Sequence, residues 1–222
     1  MKLALFDLDG TLIPNDSDHA FGSFMVDIGW ADGERWRQRN DEFYLQYQEG
    51  RLDLDAYIEF ATSVWRSRPL PEALAARERF MREVMQPLMR DNARELVRSH
   101  QAAGDLVAIV TATNEFVTTP IAAAFGVEHL IAVRLCRTPE GGYSGEVDGV
   151  PSFQAGKVQR VHEWLGSLGR QMADFEQVSF YSDSMNDLPL LEQVSHPVAT
   201  NPTPALEALA LERGWSILKL FA

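Results

Sequence analysis

Asp7 and Asp9 stand two positions apart in the stretch ALFDLDGTLIP, residues 4–14, directly after an apolar run. Side chains alternate along a strand, so both carboxylates can share a direction while Leu8 packs the other way. Similar groups close two further apolar runs. DLVAIVTAT at 105–113 ends in Thr111 and Thr113, and QVSFYSDS at 177–184 ends in Asp183, with Asn186 and Asp187 one turn on. Carboxylates gathered in one place repel and raise each other's pKa. A hard cation removes that penalty, and Mg²⁺ suits an all-oxygen set while keeping places for water and a substrate phosphate. The chain has one cysteine, Cys136, and no histidines at ligand spacing, so the residues favour no softer metal. Taken singly, each Asp reads as a turn or helix-cap residue. As a set at matching strand ends, they read as a metal and anion site.

Lysine usage points to one more residue. The chain has three lysines against seventeen arginines, and only Lys157 lies away from the termini. An ammonium is a compact point charge, unlike the planar guanidinium fork. Alone, that asymmetry is compatible with codon bias.

These residues need elements to position them. KLALFDL, DLVAIVTAT and QVSFYSDS read as buried strands, with HLIAVRL (129–135) and HPVAT (196–200) as weaker candidates. Helical patterns at 91–103, 115–125, 156–168, 186–194 and 203–212 lie between them. Strands alternating with helices predict an α/β fold, a Rossmann-like parallel sheet with right-handed crossovers. Ligands in such sheets bind beyond the carboxyl ends of the strands, where these residues fall. The stretch 15–88 breaks the alternation with four helical segments rich in aromatics and arginine, punctuated by Gly50, Pro69 with Pro71, and Pro87. It predicts a helical unit inserted after the first strand, leaving 1–14 and 89–222 as the α/β core. PEGGYSGEVDGVPS at 139–152 predicts a short β-hairpin.

Composition bounds the rest. At 222 residues and 45% hydrophobic, the chain can bury a sizeable core. A net charge of −12 argues against unspecific nucleic-acid binding. The apolar runs are too short to span a bilayer, and Asp7 follows so soon after the N-terminus that no signal peptide is expected. A cytoplasmic protein without a membrane or nucleic-acid partner is the expectation. The residues leave monomer or homodimer open.

DLDGT, IVTAT, the GK pair at 156–157 and YSDSMND together resemble, in order and spacing, the four motifs of the haloacid dehalogenase superfamily of phosphohydrolases. The insert resembles in kind the helical cap of its phosphoserine-phosphatase-like branch. The resemblance implies that Asp7 is a nucleophile forming an aspartyl-phosphate with a phosphomonoester. It implies that Asp9 is the general acid–base, a residue absent from the dehalogenases that expel halide. Mg²⁺ would be held by Asp7, Asp183 and the main-chain carbonyl of Asp9, with Asp187 in support. Thr111 and the amide of Ala112 would bind the phosphoryl group, which Lys157 and Asn186 would also meet. Asp16, in the hinge PNDSDH, takes the place of a glutamate that contacts the substrate amino group in phosphoserine phosphatases. Asp16 and Asp18 read equally as helix N-cap residues. The expected substrate is a small, amino-bearing phosphorylated metabolite: histidinol phosphate, phosphoserine, phosphoethanolamine or phosphocholine. A phosphotransferase or mutase on the same fold, and a non-catalytic phosphate-binding relative, are the alternatives.

Overall fold

The computed structural model describes residues 1–221. Strand β1 (Leu3–Phe6) is followed by α1 (Ser17–Asp27), α2 (Gly33–Gln48), α3 (Leu54–Arg66) and α4 (Leu70–Phe80). A π-helical stretch (Met81–Met85) and a last turn, α5 (Gln86–Leu88), extend α4. Then come α6 (Asp91–Ala102), β2 (Leu106–Asn114), α7 (Glu115–Ala124), β3 (His129–Val133), β4 (Leu135–Arg137) and β5 (Tyr143–Val147). Helix α8 (Ala155–Ser167), β6 (Val178–Ser182), α9 (Leu188–Leu191), β7 (His196–Thr200), α10 (Pro204–Arg213) and β8 (Ser216–Leu218) complete the described chain.

The six-stranded sheet runs β3-β2-β1-β6-β7-β8, and all its pairings are parallel. The alternating strands and helices thus form the expected α/β fold. β8 had no sequence signal; its three residues are too short for a periodicity. All four β1 residues are fully buried because helices cover both faces of the sheet. Ala4 and Phe6 join one apolar cluster and Leu3 and Leu5 the other, as strand alternation requires. Phe6 pairs with Ile109 of β2 on one side and Tyr181 of β6 on the other. The three central strands therefore end side by side, bringing Asp7, Thr111 and Asp183 to one edge.

The hairpin predicted within 139–152 forms between β4 and β5, starting slightly earlier in the chain. It reaches the insert: Arg66 of α3 donates to the Ser144 carbonyl, and Trp65 meets the Tyr143 ring edge-on at 5.2 Å. The insert shares one cluster with a sheet face through Phe21, Trp65 and Phe80, and Trp65 stacks on Phe116 of α7 at 3.9 Å. α2 packs on α1 and α3 at the periphery, where it buries Asn40 and Phe43. Cys136 is only partly buried, because β4 belongs to the small hairpin and not to the central sheet.

Candidate active site

Asp7 leaves β1 with its amide donating to the Tyr181 carbonyl at 2.9 Å, so it continues the β1–β6 register. The chain must then turn sharply. Gly10 has φ +74°, and a β-carbon there would collide with the Asp183 carboxylate. Amides of Thr11, Leu12 and Ile13 all point to the Leu8 carbonyl, closing a compact turn. Asn201, at the end of β7 with φ +47°, donates to the Gly10 and Thr11 carbonyls at 3.0 and 3.2 Å and holds that turn in place.

Lys157 is the centre of the buried network. It is 1% exposed, and its ammonium lies 2.8 Å from Asp7 Oδ1 and 2.7 Å from Asp187 Oδ1. Burial pulls the lysine pKa down, but the Asp187 and Asp7 carboxylates more than offset this, so the group stays charged. Ser182 donates to Asp187 Oδ2 at 2.7 Å and fixes that carboxylate against the lysine. The glycine before Lys157 is required for close approach: a β-carbon on Gly156 would overlap the Pro151 carbonyl. The Asp187 carboxylate, expected to support the metal, lies against Lys157 and Ser182.

Asp9 sits in a different environment. Its Oδ1 accepts from the Ser17 amide at 2.6 Å, and its Oδ2 accepts from the Thr113 and Thr111 hydroxyls at 2.9 and 3.4 Å. Burial, then the nearby Asp16, pushes its pKa up to about 7, and those hydrogen bonds oppose the rise. A carboxyl that titrates near neutral pH can both give and take a proton there. Burial also raises Asp7, to about 7, against the pull of Lys157.

Asp7 and Asp183 face each other across Thr11, whose hydroxyl lies 3.5 Å from Asp7 Oδ2 and 3.3 Å from Asp183 Oδ1. One hydroxyl proton cannot serve both. Asp183 forms no salt bridge among the described residues, and burial followed by repulsion from Asp7 and Asp187 holds its pKa well above the usual range. This deficit of positive charge between oxygen donors fits a hard cation. No three His, Cys, Asp or Glu side chains among the described residues converge on one metal position, so a main-chain oxygen would have to complete the set. The Thr11 contact, Ser182 and Asn201 were not singled out as site residues; a buried hydroxyl or amide carries no spacing signal.

The helical insert forms the roof. Asp16 caps α1, accepting from the His19 amide at 2.7 Å, and is half-buried beside Asp9. It therefore has the capping role as well as a place in the pocket. Asp9, Asp16 and Asp18, with Tyr44, Tyr57 and Phe153, line a narrow cavity of about 30 Å³, room for a water and not for a metabolite. An open cleft of about 680 Å³ adjoins it past Asp9, Asp16 and Asp183. Ala112 lines the narrow cavity on the floor side, and the Thr111 hydroxyl accepts from the Thr113 amide at 3.1 Å. Asn186 lines the open cleft with Asp183 and donates to the Tyr47 carbonyl of the insert at 2.9 Å. Gln154 joins it by donating to the Gly50 carbonyl at 3.3 Å.

Known proteins resemble this chain over most of its length. The family model for haloacid dehalogenase-like hydrolases matches residues 4–192. A histidinol-phosphatase of Neisseria meningitidis is 41% identical over 217 residues, 98% of each chain. A phosphoserine phosphatase of Mycobacterium tuberculosis is 30% identical, with 96% of this chain matched to 69% of that one. Among solved structures, a Bordetella pertussis protein of unknown function superposes with a TM-score of 0.94 at 47% identity, covering 99% of both chains. A substrate-bound phosphoserine phosphatase superposes at 0.69 with 18% identity, covering 98% of this chain and 92% of the other, and so shares the fold.

Proposed function

The chain belongs to the haloacid dehalogenase-like hydrolases and is a phosphatase of that family; from this premise we propose that it is a Mg²⁺-dependent phosphomonoesterase acting on a small, amino-bearing metabolite. The pairing of two differently held carboxyls carries the reading: Asp7 clamped by Lys157, and Asp9 suspended between Ser17 and the strand-end threonines. Environments that separate two carboxyls in this way assign them different tasks.

Asp7 attacks phosphorus in line, forming an aspartyl-phosphate as the ester oxygen departs. Asp9 protonates that oxygen, then takes a proton from the water that attacks the phosphoryl group and restores Asp7. Thr111 and the Ala112 amide bind phosphoryl oxygens, and the Lys157 charge stabilises those oxygens as negative charge shifts toward the leaving group. Mg²⁺, held by Asp7, Asp183 and the Asp9 main-chain carbonyl, would screen the phosphate's charge from the attacking carboxylate. Asp187 and Ser182 keep Lys157 in place, and Asn186 joins the floor to the insert.

The acidic wall at Asp16 suits an amino group on the leaving alcohol. Of the candidate esters, histidinol phosphate comes first, given the name of the Neisseria relative. The test is inorganic phosphate release from a panel of amino and sugar phosphomonoesters, with chelator and with Mg²⁺ restored. Mg²⁺-restored hydrolysis led by amino esters is expected. A preference for neutral sugar phosphates, or indifference to chelation, would contradict the proposal.

A further inference from the structure

Asp18 is a buried carboxylate with no task in the chemistry above. It is 6% exposed and lines the narrow cavity beside Asp16 and Asp9. Its surroundings hold it there deliberately tightly. Asn114 caps α7 with its own Oδ1, which accepts from the Val117 amide at 3.3 Å. That bond leaves the Asn114 amide nitrogen turned to Asp18, 3.2 and 3.4 Å from its two oxygens. Tyr57 lines the same cavity, and its hydroxyl favours the charged form of Asp18. A carboxylate has about four acceptor sites, so roughly two remain after these contacts.

The rest of the wall excludes one kind of ligand. Among the described residues, no lysine or arginine lines the cavity. Its one histidine, His19, is engaged through Nε2 with Asp41 at 2.7 Å. A carboxylate on the leaving group would meet three carboxylates and no free cation. Tyr44, Tyr57 and Phe153 offer flat apolar faces between the acids, which suit a planar, positively charged or N–H-bearing ring.

We propose that Asp18 is a specificity-determining residue that accepts a second hydrogen bond from the leaving group, beyond the amino group met by Asp16, the roof moving outward to widen the cavity from about 30 Å³ as the ester binds. The preferred substrate is then the phosphate ester of an amino alcohol with a second N–H-bearing group, planar and free of carboxylate. This rests on the reading of the site as an amino-phosphomonoester phosphatase. It separates esters that reading leaves together: phosphoserine has a carboxylate, and phosphoethanolamine has no second donor.

Steady-state kinetics on histidinol phosphate, phosphoethanolamine and phosphoserine test it, with para-nitrophenyl phosphate as the reference ester. Wild type should favour histidinol phosphate over phosphoserine by about a hundredfold or more in kcat/KM, since an unpaired charge in a dry pocket is rejected strongly. Asp18→Asn should lower kcat/KM for histidinol phosphate about tenfold more than for phosphoethanolamine, chiefly through KM. Tyr57→Phe, which keeps the ring and loosens Asp18, should shift the same ratio by about threefold and serves if Asp18→Asn does not fold. An equal loss on both amino esters assigns Asp18 a structural role and overturns the proposal, as does phosphoserine turnover matching that of histidinol phosphate. Hydrolysis of para-nitrophenyl phosphate with none of the three amino esters accepted overturns the parent reading instead.

Discussion

The floor and the roof of this site are both rich in aspartate, yet they handle charge in opposite ways. On the floor, Asp7 and Asp187 share one buried lysine, and Asp187 has a serine besides. In the roof, Asp16 and Asp18 have no cationic partner among the described residues and are held by an amide from His19 and by the Asn114 side chain. Burial, the largest influence on both, raises their pKa to about 7. The difference teaches where charge is supplied by the protein and where it is left for a ligand. The floor is prepared for chemistry common to all phosphate esters, and the roof is prepared to read what the phosphate is attached to.

The sharpest way to break the comparison is on the floor. Asp7→Asn should reduce phosphate release by about 10³-fold or more while circular dichroism and melting stay near wild type, since an amide is no nucleophile. Lys157→Met should lower kcat by about 10²-fold, through loss of a charge aimed at the phosphoryl group. It should also destabilise the fold by about 3–5 kcal/mol in urea titrations, because two buried carboxylates lose their counter-charge. Retention of full stability would show that the network is slack. Asp9→Asn should slow formation of the aspartyl-phosphate by about 10²-fold from alkyl phosphates and much less from para-nitrophenyl phosphate, whose leaving group needs little proton assistance, as rapid-quench kinetics would show. Gly10→Ala, which forces a β-carbon toward Asp183, should raise the Mg²⁺ concentration needed for half-maximal rate by about tenfold, an effect on ligand position of the size seen for metal-site support.

In the roof the corresponding test is pH. A carboxyl whose pKa rises on folding takes up protons as the chain folds. Its stabilising effect is full below the unfolded pKa and is lost as pH rises toward the folded value. For Asp18, raised from 3.8 to about 7, stability should fall by up to about 1.4 kcal/mol per pH unit across that window. Asp18→Asn should flatten the slope of stability against pH between about 5 and 7, measured by urea unfolding without ligand. An unchanged slope would place the proton elsewhere.

The floor was legible because parallel sheets deliver their strand ends to one edge, so Asp7, Thr111 and Asp183 could be placed together from three apolar runs alone. Lys157 stood out through its rarity and through the GK pair of the motif resemblance; nothing in spacing tied it to Asp187, and the Ser182 hydroxyl that orients Asp187 left no signal. The four insert helices were readable from their periodicity and breakers, but their inward faces were not. Trp36, Phe43 and Tyr44 share a helix, yet Trp36 stacks on Phe60 at 4.5 Å and Tyr44 meets the cavity. Side-chain packing between helices decides that, and it is long-range. Asn186 shows the same limit: its place in the loop was clear, its turn toward Tyr47 was not.

The nucleophile is the point on which the chemistry turns. Asp9→Asn should form the covalent intermediate from para-nitrophenyl phosphate faster than it hydrolyses it, so acid quenching followed by peptide mass analysis can locate the phosphoryl group. Close to one group per chain on Asp7 is the expected result. A phosphoryl group on any other residue, or wild-type turnover in Asp7→Asn, would contradict it.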